Sequence, residues 1–401
     1  MSSPHSHLAA PRMPRRQALV TLLAAAGVVV LPACGGGGGG NASVDTGGTG
    51  SFSTGRISGF GSVIVNGVRF EDNAARLADD DDEVKVLVRD DLKLGMVVTV
   101  QAGPITAGSG DVLPSATATA ISVESQIKGP VETKTAPDTL VVFGQTVKVD
   151  AATVFDGTSF AAIAVGNVLE VHGFAGAGGV VTASRIELEN PATSEFKVRG
   201  FISGLAGTTF QIGAATFNFA TTPPAELRVT PANGLFVRVR TQAIRNGSGQ
   251  WVVKRIDARR AFEDRNEAEV EGILVQSGST FSVNGITINT TRLPAGTVMP
   301  VGQHVEVEGS LINGVLFARK IEIEDENDEA EVDVTGQASS VNTTAQTFVV
   351  RGLTFHYSGA TALEDGTIPA SLQNGVTLRA RGTLPAAGSA TIEATRIDFR
   401  P

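Results

Sequence analysis

An internal repeat dominates the sequence, and it constrains the fold more than any single motif does. Its clearest landmark is a Gly inside an apolar, strand-like stretch. This Gly recurs five times, in steps of 74, 71, 72 and 64 residues, at Gly55, Gly129, Gly200, Gly272 and Gly336. Residues 55–401 are therefore predicted to be five tandem copies of one structural unit.

Two further landmarks keep the same order within each copy. A second Gly starts an alternating apolar strand, at Gly95, Gly166, Gly234, Gly302 and Gly375. A closing strand then carries a central Ile, at Ile121, Ile186, Ile256, Ile321 and Ile397. The copies are predicted to span 55–125, 126–190, 196–262, 268–325 and 331–401. Polar stretches at 190–195, 263–267 and 324–331 predict linkers between beads, and the sequence leaves open whether the beads touch.

Copy four gives the clearest view of the predicted unit. Strands are expected at 268–275, 280–283, 286–289, 304–309 and 315–323. Asn284-Gly285 and Asn313-Gly314 turn the chain between alternating runs, which is a strong hairpin signal. A sheet of about five strands in so short a unit must protect its edges, which favours closure into a small barrel. The sequence therefore predicts an all-β protein of five small, OB-like β-barrels, with a small β-sandwich as the alternative.

The N-terminus has the pattern of an export signal. Arg12, Arg15 and Arg16 precede an apolar run of 14 residues at 18–31, which is too short to span a membrane permanently. The run ends in Leu31-Pro32-Ala33-Cys34, which resembles the lipobox of bacterial lipoproteins. That resemblance implies a signal peptide at 1–33 and lipidation of Cys34. A plain secretory signal is the alternative, and the export route stays open between the general secretory and twin-arginine pathways.

A flexible tether is predicted after Cys34. Residues 34–54 are rich in Gly, Ser and Thr and include six consecutive glycines, so they cannot bury enough apolar surface to order themselves. Gly35 stands where inner-membrane lipoproteins carry an Asp. The expected location is therefore the bacterial cell envelope, with a lipid anchor in the outer membrane.

The repeat also resembles a bacterial envelope family, the domain of unknown function numbered 5666. The match consists of the opening Gly, the Asn-Gly turn, the Gly-started strand and the Ala-x-x-Ile ending, seen at 183–186, 318–321 and 394–397. Copy one departs from it through an acidic insertion, and copy three has Val253 in place of the Ala. The resemblance implies tandem β-rich units in the envelope and brings no reaction with it.

Composition excludes several classes of function. A net charge of −9 disfavours nucleic-acid binding, because phosphates need a basic surface. The single Cys excludes a disulfide framework and a Cys-based zinc site. His172, His304 and His356 lie in separate copies, so they do not form a metal-binding pair along the chain. None of the common catalytic motifs is present, and the protein is not predicted to be an enzyme or to need a cofactor.

Three features remain as candidate ligand sites. The first acidic cluster can supply hard oxygen ligands for Ca²⁺, and it consists of Asp79, Asp80, Asp81, Asp82 and Glu83. A second one occupies 324–329. Trp251, beside the Asn246-Gly247 turn, is the best candidate for an exposed ligand contact. The prediction is a lipid-anchored envelope protein that acts as a non-catalytic scaffold or interaction module, with an unidentified protein or polysaccharide partner. The alternative is an envelope protein that binds glycan or Ca²⁺.

Overall fold

The computed structural model describes residues 50–79, 86–110, 112–259, 262–324, 330–363, 371–384 and 391–399. Cys34, the signal segment and most of the tether lie outside these residues. The described chain is built from strands, with three short 3-10 turns at Arg89–Asp91, Ala177–Gly179 and Pro224–Glu226. Among the residues described, no helix has the length and apolar character needed to cross a bilayer.

The strands fall into five consecutive groups, called units one to five. Unit one contains β1 (Ser51–Phe60), β2 (Val63–Val65), β3 (Val68–Glu71), β4 (Arg76–Asp79), β5 (Val97–Ala102) and β6 (Ser115–Glu124). Unit two contains β7 (Ile127–Thr135), β8 (Thr139–Val142), β9 (Gln145–Lys148), β10 (Val154–Asp156), β11 (Val168–Ala175) and β12 (Val180–Glu189). Unit three contains β13 (Glu195–Phe201), β14 (Ser203–Ala206), β15 (Thr209–Ile212), β16 (Ala215–Asn218), β17 (Phe236–Arg245) and β18 (Trp251–Ala258). Unit four contains β19 (Arg265–Ser277), β20 (Thr280–Val283), β21 (Ile286–Asn289), β22 (His304–Ile312) and β23 (Val315–Ile323). Unit five contains β24 (Glu331–Asn342), β25 (Thr347–Val350), β26 (Leu353–His356), β27 (Ala362–Leu363), β28 (Thr377–Thr383) and β29 (Thr391–Phe399).

Within a unit, the pairings close a ring of five strands. In unit four β19 pairs with β20, β20 with β21, β21 in parallel with β23, β23 with β22, and β22 with β19. Units one, two and five repeat this ring, and in unit three β13 and β14 together serve as the first strand. One parallel pair among antiparallel neighbours, in a closed five-stranded ring, is the arrangement of an OB-like barrel. The predicted fold class is confirmed, and the sandwich alternative is wrong.

The structure explains why the first two landmarks are glycines. A Cβ on Gly55 would lie 2.0 Å from Asn66 Oδ1, and one on Gly272 would lie 2.7 Å from Asn284 Nδ2. The opening strand therefore passes too close to the following hairpin for any side chain. The second landmark has a left-handed backbone that other L-residues rarely adopt. Its φ values are 80, 90, 81, 82 and 89° at Gly95, Gly166, Gly234, Gly302 and Gly375.

The units pack directly on one another, a point that the sequence left open. β1 pairs in parallel with β19 over 51–54 and with β24 over 59–60. β7 pairs with β13, which joins units two and three edge to edge. Residues 51–54 were predicted to belong to the tether, but they are buried in these pairings. Residues 265–267 of one polar stretch belong to β19, and the carboxylate of Glu267 accepts a hydrogen bond from the backbone N–H of Ile105 of unit one at 3.3 Å.

Units two and three share one hydrophobic core. Phe143, in the hairpin turn between β8 and β9, is fully buried and reaches into unit three. Its ring centroid lies 5.6 Å from that of Phe196, 5.7 Å from that of Phe217 and 4.8 Å from that of Trp251. Phe143 holds a φ of 50° in a turn where units one and four place Asn. Units one, four and five have three distinct cores, and unit one contributes Phe52 to the core of unit four and Leu94 to that of unit five.

Candidate functional site

Most residues of the predicted sites lie outside the part of the chain that the structure describes. These are Cys34, Asp80, Asp81, Asp82 and Glu83, together with residues 325–329 of the second acidic cluster. Asp79 is described, at the end of β4. It lines a cavity of about 90 Å³ between units one and two, together with Glu170, Glu187 and His172.

The prediction that Trp251 is an exposed contact is wrong. The residue is only 5% exposed, because its indole ring packs against Phe143 and Phe196 in the shared core of units two and three. The guanidinium of Arg245 covers the ring at 4.4 Å from its centroid. Trp251 therefore stabilises the junction of two units and is not a platform for a ligand.

A buried carboxylate at the end of β6 connects units one and three. The carboxylate of Glu124 has a partner on each oxygen. The hydroxyl of Thr99 donates a hydrogen bond to Oε1 at 2.7 Å, and Nη1 of Arg199 lies 3.1 Å from Oε2. Arg259 approaches Oε1 at 3.9 Å. The side chain of Glu124 is 7% exposed and that of Arg199 is 4% exposed. A buried charge without its partner is costly, so this contact fixes unit three against unit one.

His172 completes the same junction from unit two. Burial lowers the pKa of its imidazole, although the carboxylates of Glu170 and Glu187 act to raise it. The ring nitrogen Nδ1 lies 2.9 Å from the carbonyl oxygen of Glu124. A carbonyl only accepts, so Nδ1 carries the proton and donates it. His172 lies on β11 and is buried between units.

A second buried carboxylate connects units one and four. The backbone N–H of Arg56 donates to Glu271 Oε2 at 3.0 Å, and the guanidinium Nε of Arg56 lies 4.0 Å from Oε1. Nε2 of His304 lies 3.5 Å from the same oxygen. The imidazole of His304 also packs on Phe174 of unit two, with centroids 4.6 Å apart. Buried charged groups therefore join units one and four.

Three carboxylates meet on the outer face of unit four. Oxygens of Glu269, Glu306 and Glu308 lie within 4.8 Å of one another. Lys320 Nζ stands 3.0 Å from Glu308 Oε1 and supplies a positive charge at this place. The sequence did not single out these residues, because period-2 alternation alone put them on a solvated face.

A cavity lined by charged side chains lies on unit three. It has a volume of about 430 Å³, and its charged lining residues are Glu195, Glu226, Arg240, Lys254 and Arg255. Its rim and floor come from the loop before the 3-10 turn Pro224–Glu226 and from β17 and β18. The name "unit-three pocket" is used below for this cavity.

Unit three is basic in an acidic chain. Residues 195–259 contain nine Lys and Arg against three Asp and Glu, a net charge of +6, whereas the whole chain carries −9. The sequence-based exclusion of anionic partners used only the total charge, which hides this unit. A count of charges for each repeat is the signal that would have found it.

Three regions of the chain match the family model described as Domain of unknown function (DUF5666), namely 128–187, 267–322 and 335–398. These regions correspond to units two, four and five. No curated protein matched the sequence significantly. Among solved structures, the chain is similar to "drosophila Unr CSD456", at 13% identity over 42% of this chain and 79% of that one, with a TM-score of 0.16. A TM-score that low says nothing about function. Three regions of the chain are thus similar to the DUF5666 domain, which is consistent with tandem repeats of that domain.

Proposed function

We propose that this protein is a lipid-anchored protein of the bacterial cell envelope that acts as a non-catalytic scaffold or interaction module. One observation carries the proposal: neighbouring barrels are joined by strand pairings and buried ion pairs. Such contacts hold the outer faces of the barrels at fixed relative positions. A scaffold needs this property, because partners bound at different units are then kept at a defined spacing.

The anchor is the first part of the proposal to test. Cys34→Ser removes the only thiol of the chain, and we expect it to move the protein from the membrane fraction to the soluble fraction. Thr46→Ser, a conservative change in the tether, is the control and should leave the distribution unchanged. A Cys34→Ser protein that stays firmly in the membrane fraction would show that the lipid anchor is wrong.

The rigidity of the assembly is the second part. A single compact body of 350 residues has a radius of gyration of roughly 20 Å. We expect small-angle X-ray scattering of the unlipidated Cys34→Ser protein to give a folded body near this size, with the tether adding a few ångströms. A much larger radius with the profile of a flexible string would contradict the scaffold proposal.

Binding of an envelope glycan is a second candidate function, and the unit-three pocket favours it. Its volume of about 430 Å³ lies in the range of small-molecule sites. Its lining combines charged side chains with the hydroxyl of Thr221 and the amide of Gln242, which can hydrogen-bond to sugar hydroxyls. The test is calorimetric titration of the full chain with neutral and acidic oligosaccharides of matched length.

A further inference from the structure

Four basic residues stand directly opposite one another across four adjacent strands. Lys128 of β7 faces Lys197 of β13, Lys197 faces Arg240 of β17, and Arg240 faces Arg255 of β18. Residues in register share one face of the sheet, and neighbouring strands are about 4.8 Å apart. Like charges placed directly opposite destabilise a sheet unless other groups compensate them. This set is called the basic row.

Nearby carboxylates compensate the positive charges of the two lysines of the basic row. Lys197 Nζ lies 2.8 Å from Glu170, and Lys128 Nζ lies 2.8 Å from Glu189 and 3.4 Å from Glu170. Burial acts to raise the pKa of the Glu170 carboxyl, but the charges of Lys197, His172 and Lys128 outweigh it and hold that pKa well below its usual range. The carboxylate is therefore ionised and neutralises this half of the row.

The two arginines of the basic row border the unit-three pocket. The positive charge of Arg240 has weaker carboxylate contacts than that of Arg255. Arg255 Nε has Asp257 at 3.0 Å and Glu226 at 3.7 Å. Among the residues that the structure describes, Arg240 has only a distant contact with a carboxylate, with Nη1 lying 3.9 Å from Glu195 Oε1. That carboxylate also pairs with Lys254. Arg240 therefore keeps most of its charge available to a group that enters the pocket.

The guanidinium of Arg240 also lacks hydrogen-bond acceptors. Its Nε and Nη2 atoms are buried without a partner, and the side chain is 15% exposed. A buried N–H without an acceptor is energetically unfavourable, and the oxygens of an anion in the pocket would accept hydrogen bonds from these groups. Arginine presents its donors as a planar fork that fits a carboxylate in a bidentate manner.

We propose that the unit-three pocket binds the carboxylate of an acidic sugar, with Arg240 as its principal ligand. The pocket offers three positive and two negative side chains, a net charge of +1 that matches a monovalent carboxylate. Glu195 and Glu226 would repel a phosphate dianion, whereas they can accept hydrogen bonds from sugar hydroxyls. Lys254 adds a second positive charge at the mouth of the pocket, where its side chain is 47% exposed.

The position of the pocket sets it apart from the face that OB-like barrels commonly use. Those barrels bind oligosaccharides and oligonucleotides through the second and third strands. The charged lining here comes from β13, β17 and β18, which are the first, fourth and fifth strands of the ring, and from the turn at Pro224–Glu226. This inference rests on the second candidate function, glycan binding, and names the chemical class of the glycan.

The test is calorimetric titration of the full chain with oligoglucuronate, with a neutral glucose oligomer of the same length and with inorganic phosphate. Oligoglucuronate is expected to bind. Arg240→Gln is expected to weaken that binding about tenfold or more, because a charge-assisted pair is lost. Arg319→Gln, the same change at an exposed position of unit four, is the matched control and should bind as the wild type does. Lys254→Gln serves as a second variant, and circular dichroism checks that each variant is folded.

The outcomes separate this inference from the function on which it rests. Equal binding of the neutral oligomer would leave glycan binding standing and overturn the choice of a carboxylate. Stronger binding of phosphate than of oligoglucuronate would overturn the sugar as well. Oligoglucuronate binding that neither Arg240→Gln nor Lys254→Gln weakens would remove the unit-three pocket as the site. No binding of any probe would overturn both the pocket ligand and the glycan-binding candidate.

Discussion

Phe143→Ala tests the fusion of units two and three most directly. The residue belongs to a hairpin turn of unit two, yet its ring fills a space among Phe196, Phe217 and Trp251 of unit three. Alanine keeps the same backbone strain at a φ of 50°, because both side chains have a Cβ. The substitution therefore isolates the loss of the ring from any change in the turn.

The expected loss follows from burial and contact geometry. Phe143 is fully buried, and truncation of a fully buried Phe to Ala costs about 3–5 kcal/mol. The three edge-on aromatic contacts place the cost toward the upper end of that range. Units two and three share one core, so the melting temperature of both should fall together, by roughly 10–15 °C for a body of this size.

The assay uses the only tryptophan of the chain. Trp251 belongs to unit three, so its fluorescence reports the unfolding of unit three while the substitution is in unit two. Phe355→Ala is the matched control, since Phe355 is equally buried but packs on Phe348 inside unit five. We expect the Trp251 transition to shift much less in this control. An unchanged Trp251 transition in Phe143→Ala would refute a shared core.

Two further predictions concern the buried charges. Glu124→Gln should lower the free energy of unfolding by about 3 kcal/mol or more, because it leaves Arg199 buried opposite a neutral group. The control is Glu263→Gln at a 74% exposed position, which should change the free energy of unfolding by less than about 0.5 kcal/mol. Thermal unfolding measures both, and equal losses would contradict the importance of burial. The charge of Lys197 lowers the pKa of the Glu170 carboxyl in the folded protein. The ionised carboxylate therefore contributes fully to stability at a pH above the ordinary Glu pKa of about 4.3. This contribution is lost as the pH falls through the folded-state pKa. The difference in melting temperature between wild type and Glu170→Gln should therefore shrink between about pH 7 and about pH 3, and a constant difference would contradict this assignment.

The strands were readable from the sequence because local patterns determine them. In unit four, three of the five predicted strands have the bounds seen in the structure, at 280–283, 286–289 and 315–323. Asn-Gly turns and period-2 alternation act within a few residues, so they need no knowledge of the rest of the chain. The turn at Phe143-Gly144 was not predicted from the sequence, because a bulky residue rarely occupies a left-handed turn position.

The packing between units was not readable, because the contacts that create it are distant in sequence. Glu271 pairs with Arg56 across 215 positions, and nothing near either residue indicates the other. Polar residues between repeats were therefore interpreted as solvated linkers. The unit-three pocket was missed for a related reason. Arg240 stands opposite Lys197 and Arg255 only because of the strand register, and the total charge of the chain does not reveal this.

The position of β1 has a consequence for the order in which the protein folds. Ser51 pairs with Glu267, and Gly59 pairs with Asp333. These partners of β1 are synthesised much later than β1 itself. Contacts of such long sequence separation slow folding. Until they form, the backbone of β1 has unpaired edge groups, which favour association with other chains. Unit one therefore keeps an unpaired edge on β1 until unit five is made, and a chain interrupted before unit five still carries that edge.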